Sequence, residues 1–149
     1  GDDKALLAAV LNLSLPGVPM IYGGQEIGAE KTPSLFVQQP VDWQFNNNPY
    51  RDFYQKYFAI RQSNSAFSKG DFKLVHTTEP NKILAYSRKN SDNEIIIVGN
   101  VSEQTFQVSL KISGNNPEVL LGNSITADSD LGFSVKLGVG EFSIIKVNP

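Results

Sequence analysis

The most strongly punctuated stretch of this 149-residue chain contains a single carboxylate. Glu26 lies within Gly23-Gly24-Gln25-Glu26-Ile27-Gly28, behind the apolar run Val18 to Tyr22 and the break Pro16-Gly17. A carboxylate among glycines can move a proton, bind a cation, or be tied down by the backbone amides around it. Glycines there let the main chain pass close to a neighbour or a ligand. The spacing argues against a nucleotide, since there is no Gly-x-Gly-x-x-Gly and no Gly-Lys-Ser/Thr. Glu26 therefore reads either as a supporting group beside a reacting centre or as a carboxylate held by amides, and the structural role is preferred.

The other residues that could do chemistry are sparse. Glycoside hydrolysis needs two acids across the scissile bond, one protonated and one ionised. Nothing here presents two carboxylates from adjacent strand ends of one cleft. Cysteine is absent and His76 is the only histidine. Disulfides, thiolate zinc sites and cysteine nucleophiles are thus excluded, and a Ser-His-Asp triad or His-rich metal site is disfavoured. Asp128-Ser-Asp130-Leu-Gly132 faintly resembles a calcium loop, but lacks the third acidic ligand and the distal glutamate, and so reads as a turn. No metal and no cofactor is expected. Asn12-Leu-Ser14 and Asn100-Val-Ser102 match the glycosylation pattern, the first inside a buried-looking helix. Among the aromatics, an indole or phenyl face can stack on the C–H surface of a sugar ring. Tyr50, Phe53, Tyr54, Tyr57 and Phe58 recur at helical spacing and read as a packing face. Trp43 and Phe45 precede that helix and stay open as stacking residues.

The elements that must position these groups follow from period and punctuation. Residues 3 to 15 read as a helix with almost no polar face, Leu6, Leu7, Val10, Leu11 and Leu13 being filled in by alanines. Asp2 or Asp3 can cap it, Pro16-Gly17 ends it, and so apolar a helix expects cover on most sides. Val18 to Tyr22 is unalternating, as for a strand covered on both faces in a parallel sheet. Helix, short turn and buried parallel strand is the rhythm of an α/β barrel or doubly wound sheet, yet only one such unit is present. Residues 23 to 49 form a long connection of the kind that is usually functional or mobile. Residues 50 to 63 return to helical spacing.

From about residue 71 the period becomes two. Strands are expected at Phe72 to Leu74, Ile83 to Arg88, Glu94 to Val98, Phe106 to Leu110, Val119 to Leu121, Phe133 to Leu137 and Phe142 to Val147. Turn signals between them argue an antiparallel sandwich.

Bulk properties narrow the partners. The net charge is −2 with a pI near 5.3, which argues against nucleic acid or an anionic membrane surface. No apolar run approaches the ~20 residues of a membrane span, and the compartment is left open. The start Gly-Asp-Asp-Lys lacks the charged and apolar regions of a signal peptide.

Leu15 to Gly28 resembles the last-strand segment of the α-amylase family of glycoside hydrolases. The family pattern is close to Leu-Pro-Gly-x-Pro-x-Ile-Tyr-x-Gly-x-Glu-x-Gly, matched by Leu15, Pro16, Gly17, Pro19, Ile21, Tyr22, Gly24, Glu26 and Gly28. Gly23 departs, since a larger residue is usual there. Val41-Asp42-Trp43 is similar to the segment before the final barrel helix. Tyr54 to Arg61, Asn64 to Phe67 and Gly70 are similar to the helix-and-exit pattern that follows.

The resemblance implies a mixed, mainly β chain: an antiparallel, Greek-key-like β-sandwich preceded by a helix–strand–helix remnant of a (β/α)8 barrel. Residues 1–66 would be the barrel's terminal segment and 67–149 the sandwich domain. It also implies a parent enzyme that cleaves or transfers α-glucosidic bonds by a retaining mechanism, with an α-glucan or oligosaccharide as substrate. The family's three catalytic acids have no counterpart here, neither Asn-His-Asp nor Arg-x-Asp occurring, so the chain alone is expected to be inactive. Gly24, Gln25 and Glu26 would form a supporting rim of the cleft. Two alternatives are a glycan-binding module using Trp43 or Phe45, and a purely structural docking domain. The apolar helix and lone strand also imply self-association through residues 5–22.

Overall fold

The structure is a computed structural model that describes residues 1–30, 34, 36–43, 48–112, 114–128 and 132–148, with only the main chain of Asn48 and Asn115. Helix α1 spans Asp2–Ser14, and a single 3₁₀ turn spans Gln25–Ile27. Helix α2 spans Asn48–Ser63 and the one-turn helix α3 spans Ala66–Lys69. Eight strands follow: β1 Asp71–Leu74, β2 Ile83–Lys89, β3 Glu94–Asn100, β4 Phe106–Lys111, β5 Asn115–Gly122, β6 Ile125–Asp128, β7 Gly132–Leu137 and β8 Phe142–Asn148.

The strands form two antiparallel sheets, ordered β1-β2-β3-β8-β5 and β4-β7-β6. Every connection from β3 to β6, and that from β7 to β8, changes sheet, so β3–β8 and β4–β7 become neighbours across the chain in the Greek-key manner. The larger sheet is covered on both faces. Tyr86, Ile95, Ile97 and Ile144 point to the helices, where they meet Val10, Leu13, Phe53, Tyr57 and Phe67. Ile83, Ala85, Ile96, Val98, Ile145 and Val147 point the other way, onto Val108, Leu110, Val135 and Leu137 of the smaller sheet. Double cover explains why Ile95-Ile-Ile-Val98 does not alternate: both faces of this stretch are buried against apolar neighbours.

Helix α1 lies across this sheet and buries Leu7, Val10 and Leu13 on one side. The cover is one-sided, and Ala5, Ala8 and Asn12 remain exposed. Gly99 of β3 makes the close approach possible, because a Cβ there would stand 2.4 Å from Leu7 Cδ1. The expected aspartate cap is not made. Gly1 occupies the cap position without a side-chain bond, and Asp2 and Asp3 fall in the first turn, where the helix dipole favours acids. Leu15 is extended (φ −61°, ψ 159°), as the residue before a proline must be to clear its ring.

Two expectations are corrected. Val18 to Tyr22 is not a strand. A strand exists only as part of a ladder, and no strand pairs with this segment among the described residues. Val18, Met20 and Tyr22 stand in solvent, Val18 at 94% exposure and Met20 at 70%, while Ile21 is half-buried against the helix-side core. The second correction is β6, which was not expected. Ile125-Thr-Ala-Asp carries one apolar side chain that packs, and forms a short edge. Strand β5 also runs longer than Val119 to Leu121. It is the other sheet's edge, holds Pro117 and shifts register twice, as edge strands tolerate. No helix among the described residues is long and apolar enough to cross a membrane.

Candidate functional site

The site begins where α1 ends. The last carbonyls of a helix lack intrahelical donors, and α1 has no basic residue in its final turn. Two arginines from elsewhere fill that place. Arg61 of α2 donates to the Leu13 carbonyl at 2.8 Å and to that of Gly17 at 3.3 Å. Arg88 of β2 donates to the Ser14 carbonyl at 3.1 Å, and through Nε and Nη2 to that of Gly70. Both cations thus sit at the negative end of the helix dipole. The Ser14 hydroxyl bonds the Val10 carbonyl and the Tyr86 hydroxyl. Arg61 also stacks over Phe67, 5.6 Å from the ring centre. Arg88 is 3% exposed and has no carboxylate partner among the described residues. Burial, and next the charge of Arg61, lower its pKa from the usual arginine value. This clamp fixes the chain's direction at Leu15 to Gly17, the start of the segment that carries the glycine loop.

The loop closes on itself. Gly24 (φ +99°) and Gly28 (φ +66°) flank the 3₁₀ turn in left-handed conformations. The Gly24 carbonyl accepts from Ala29 N at 2.9 Å, and Gln25 Oε1 accepts from Tyr22 N at 2.8 Å. Glu26 Oε2 accepts from Gly24 N at 3.0 Å, so the carboxylate is held by a backbone amide. Ile27 is buried, Glu26 half-buried and Gln25 exposed.

Helix α2 forms the floor. A Cβ at Gly28 would stand 2.7 Å from the Tyr50 ring, which only a glycine permits. Tyr50 donates its hydroxyl to Asp2 at 3.1 Å, tying the loop's floor to the amino end of α1. Burial and then the Glu26 charge raise the Tyr54 pKa, and burial, ahead of the bond to and charge of Asp2, raises that of Tyr50. Phe53, Tyr54 and Tyr57 are buried, Phe53 meeting Tyr54 edge-on and stacking on Tyr57, so these helical aromatics pack rather than bind. Trp43 is 59% exposed; Phe45 lies outside the described residues.

The structure therefore brings Gly24, Gln25 and Glu26 together in one closed turn, without a second acid facing Glu26 in any described contact. No group of three His, Cys, Asp or Glu among the described residues could hold a metal ion. Asp130 of the calcium-like pattern lies outside the described residues, and Asp128 accepts from Ser109 Oγ at 2.6 Å. Neither glycosylation match fits the fold. Asn100 is buried, its Nδ2 donating to the carbonyls of Gln104, Leu137 and Gly138. In the other match Ser14 is buried inside α1. Sequence reasoning missed Arg88 and Ser14. The available signal was a charged residue closing the β run Ile83 to Arg88 and a serine at the end of an apolar helix.

Comparison with known proteins finds likeness along most of the chain. Residues 72–144, from β1 into β8, match the family described as Maltogenic Amylase, C-terminal domain. Alpha-amylase 3 of Dictyoglomus thermophilum is 28% identical over 142 residues, covering 74% of this chain and 28% of that protein. A cyclomaltodextrinase from a Bacillus species is 28% identical over 104 residues, covering 67% of this chain and 18% of its own length. The chain thus spans well under a third of these curated relatives. Among solved structures, the debranching enzyme of Nostoc punctiforme superposes on 97% of this chain and 31% of its own with a TM-score of 0.79 at 20% identity. A maltogenic α-amylase from Thermotoga neapolitana covers 99% of this chain and 37% of its own, with a TM-score of 0.74 at 16% identity. At such identities the likeness is one of fold.

Proposed function

We propose, from the premise that this chain is a C-terminal portion of an α-amylase-family glycoside hydrolase, that it supplies the closing wall and the sandwich of an enzyme acting on α-glucans. Residues 1–66 contribute the last helix, strand segment and helix of a (β/α)8 barrel, and residues 67–149 the domain that braces it. The acids that break the glycosidic bond lie in the rest of the parent. Gly24, Gln25 and Glu26 shape the rim of its cleft, and the exposed Trp43 offers a stacking face for a sugar ring.

One observation carries the reading. Leu15, Val18, Met20 and Tyr22 stand exposed, while the turns on either side of them are held in place, by the arginine clamp before and the glycine loop after. A segment fixed at both ends with most of its apolar side chains bare is built to be covered. In a barrel, neighbouring strands would pair with its backbone and bury those side chains. Alone, the same surface drives self-association.

The test compares two proteins: this chain by itself, and the chain joined to the coding sequence that precedes Gly1. The expected outcome is hydrolysis of soluble starch or a maltooligosaccharide by the longer protein and none by the chain alone. Light scattering should find the chain self-associated, and Val18→Ser with Met20→Ser should shift it towards monomer. Turnover by the purified chain that disappears when one of its own acids is replaced would refute the assignment.

A further inference from the structure

The sandwich carries an open cleft of about 440 Å³, lined by Thr105, Asn123, Ser124, Lys136, Gly138 and Glu141. It does not include Gly24 to Glu26. Its walls mix polar groups with the carbon stems that carry them, and no aromatic ring is among the lining residues. Lys136 and Glu141 bring opposite charges, so no net field selects an anion or a cation.

Two of the side chains are fixed in advance. Glu141 Oε2 accepts from Gly138 N at 2.6 Å and from Asn123 Nδ2 at 2.7 Å. Asn123 Nδ2 also donates to the Lys136 carbonyl at 3.0 Å. That leaves Glu141 Oε1 and Asn123 Oδ1 as acceptors without a donor among the described residues. The hydroxyls of Thr105 and Ser124 and the ammonium of Lys136 likewise make no hydrogen bond or ion pair there. Held acceptors beside free donors suit a polyol, because each sugar hydroxyl both donates and accepts. The volume falls in the range of small-ligand sites, ~300–1,000 Å³. The outer face of the smaller sheet continues the polar surface, with Gln107, Ser134 and Thr126 bonded to one another.

The cleft's place in the molecule links it to the rim. Gly28 packs on Tyr50, and Tyr50 bonds Asp2. The backbone at Asp3 and Lys4 packs on Gly140, where a Cβ would stand 2.7 Å from Lys4 N. Gly140 lies between the lining residues Gly138 and Glu141. The glycine loop and the cleft therefore flank the same end of the molecule, on either side of the amino terminus of α1.

We propose that this cleft is an outlying subsite that holds a glucosyl unit of an α-glucan chain, in addition to the rim at Gly24 to Glu26. The glucan class rests on the reading given under the proposed function; the cleft and its polyol chemistry do not. Binding there exchanges water hydrogen bonds for protein ones in an open site, so a dissociation constant of order 1–10 mM is expected.

The experiment is a titration of the whole isotope-labelled chain with maltoheptaose, followed by amide NMR, with cellohexaose as the β-linked control. The expected result is saturable shifts at Thr105, Ser124 and Gly138, weakened about fivefold or more in the Thr105→Ala, Ser124→Ala double variant. Both residues are exposed and make no side-chain bond, so the variant keeps the fold, which the remaining amide spectrum verifies. No saturable shift at these amides overturns the subsite. Equal response to cellohexaose overturns its assignment to α-glucans. Shifts confined to the Trp43 indole overturn the subsite while leaving the parent enzyme's substrate as proposed. Starch hydrolysis by the longer protein reports on that parent reading alone, so the two can fail separately.

Discussion

Replacing Arg88 by methionine tests whether the arginine clamp holds the molecule together. The substitution keeps a long apolar stem in the buried site and removes the guanidinium. It removes three hydrogen bonds, to the Ser14 and Gly70 carbonyls. Hydrogen bonds from charged donors are worth more than neutral ones, and a buried acceptor left bare costs about 1–3 kcal/mol. Against this stands the relief of no longer burying a cation without a counter-charge, whose cost shows in the lowered pKa of Arg88. The net expectation is a loss of roughly 2–4 kcal/mol, a large share of a stability of about 5–15 kcal/mol. With a urea slope of about 1.5–2 kcal/mol/M, the midpoint should fall by roughly 1–3 M. The assay is urea unfolding followed by far-UV circular dichroism, with Arg88→Lys alongside. Lysine keeps the charge but lacks the fork, so it reaches one carbonyl and should fall between the two. A methionine variant as stable as the parent, or a lysine variant less stable than the methionine one, would refute the clamp as a source of stability.

Two further outcomes follow from the same core. Tyr57 and Tyr86 are fully buried, and burial is the first cause of the rise in each pKa. The unfolded chain then releases these protons first, so stability is intact below pH ~10 and falls as pH rises above it, by up to ~1.4 kcal/mol per pH unit for each tyrosine. Absorbance of tyrosinate, followed with circular dichroism, should show the two ionising with unfolding rather than before it; ionisation in the folded state would contradict this. Gly28→Ala places a Cβ against Tyr50 in a left-handed conformation, at a cost of roughly 2 kcal/mol. A drop in Tm of roughly 4–8 °C is expected, with faster amide exchange over Gly24 to Ala29; an unchanged Tm would show that the loop does not depend on that packing.

Much of the fold was legible from period alone. Phe106-Gln-Val-Ser-Leu110 and Phe133-Ser-Val-Lys-Leu137 alternate because their sheet has one wet face. Helix α2 was legible because its aromatics recur on one side. Three features were not. Val18 to Tyr22 has the composition of a buried strand, but composition cannot provide the neighbour that makes a ladder. Strand β6 has a single packing side chain, too little for any pattern. The clamp joins Ser14, Arg61 and Arg88 from three distant segments, and no local rule connects them. In the glycine loop, the glycines pointed to Glu26, yet the amide that holds it belongs to Gly24, two residues earlier. That backbone capture was among the readings open from sequence, but only the dihedral angles of the turn choose it.

The larger sheet, roofed by helices on one face and by the smaller sheet on the other, bears on how such a chain can be reshuffled. A cut between residues 66 and 67 follows the boundary that the resemblance implies. It would strip Ile95, Ile97, Ile144 and Tyr86 of the helices that cover them. The unit that can be transplanted is therefore not the run of strands but the strands together with α1 and α2. A graft of this sandwich onto another protein must import those two helices, or the host must offer a ridge that fits the hollow at Gly99, where Leu7 now sits.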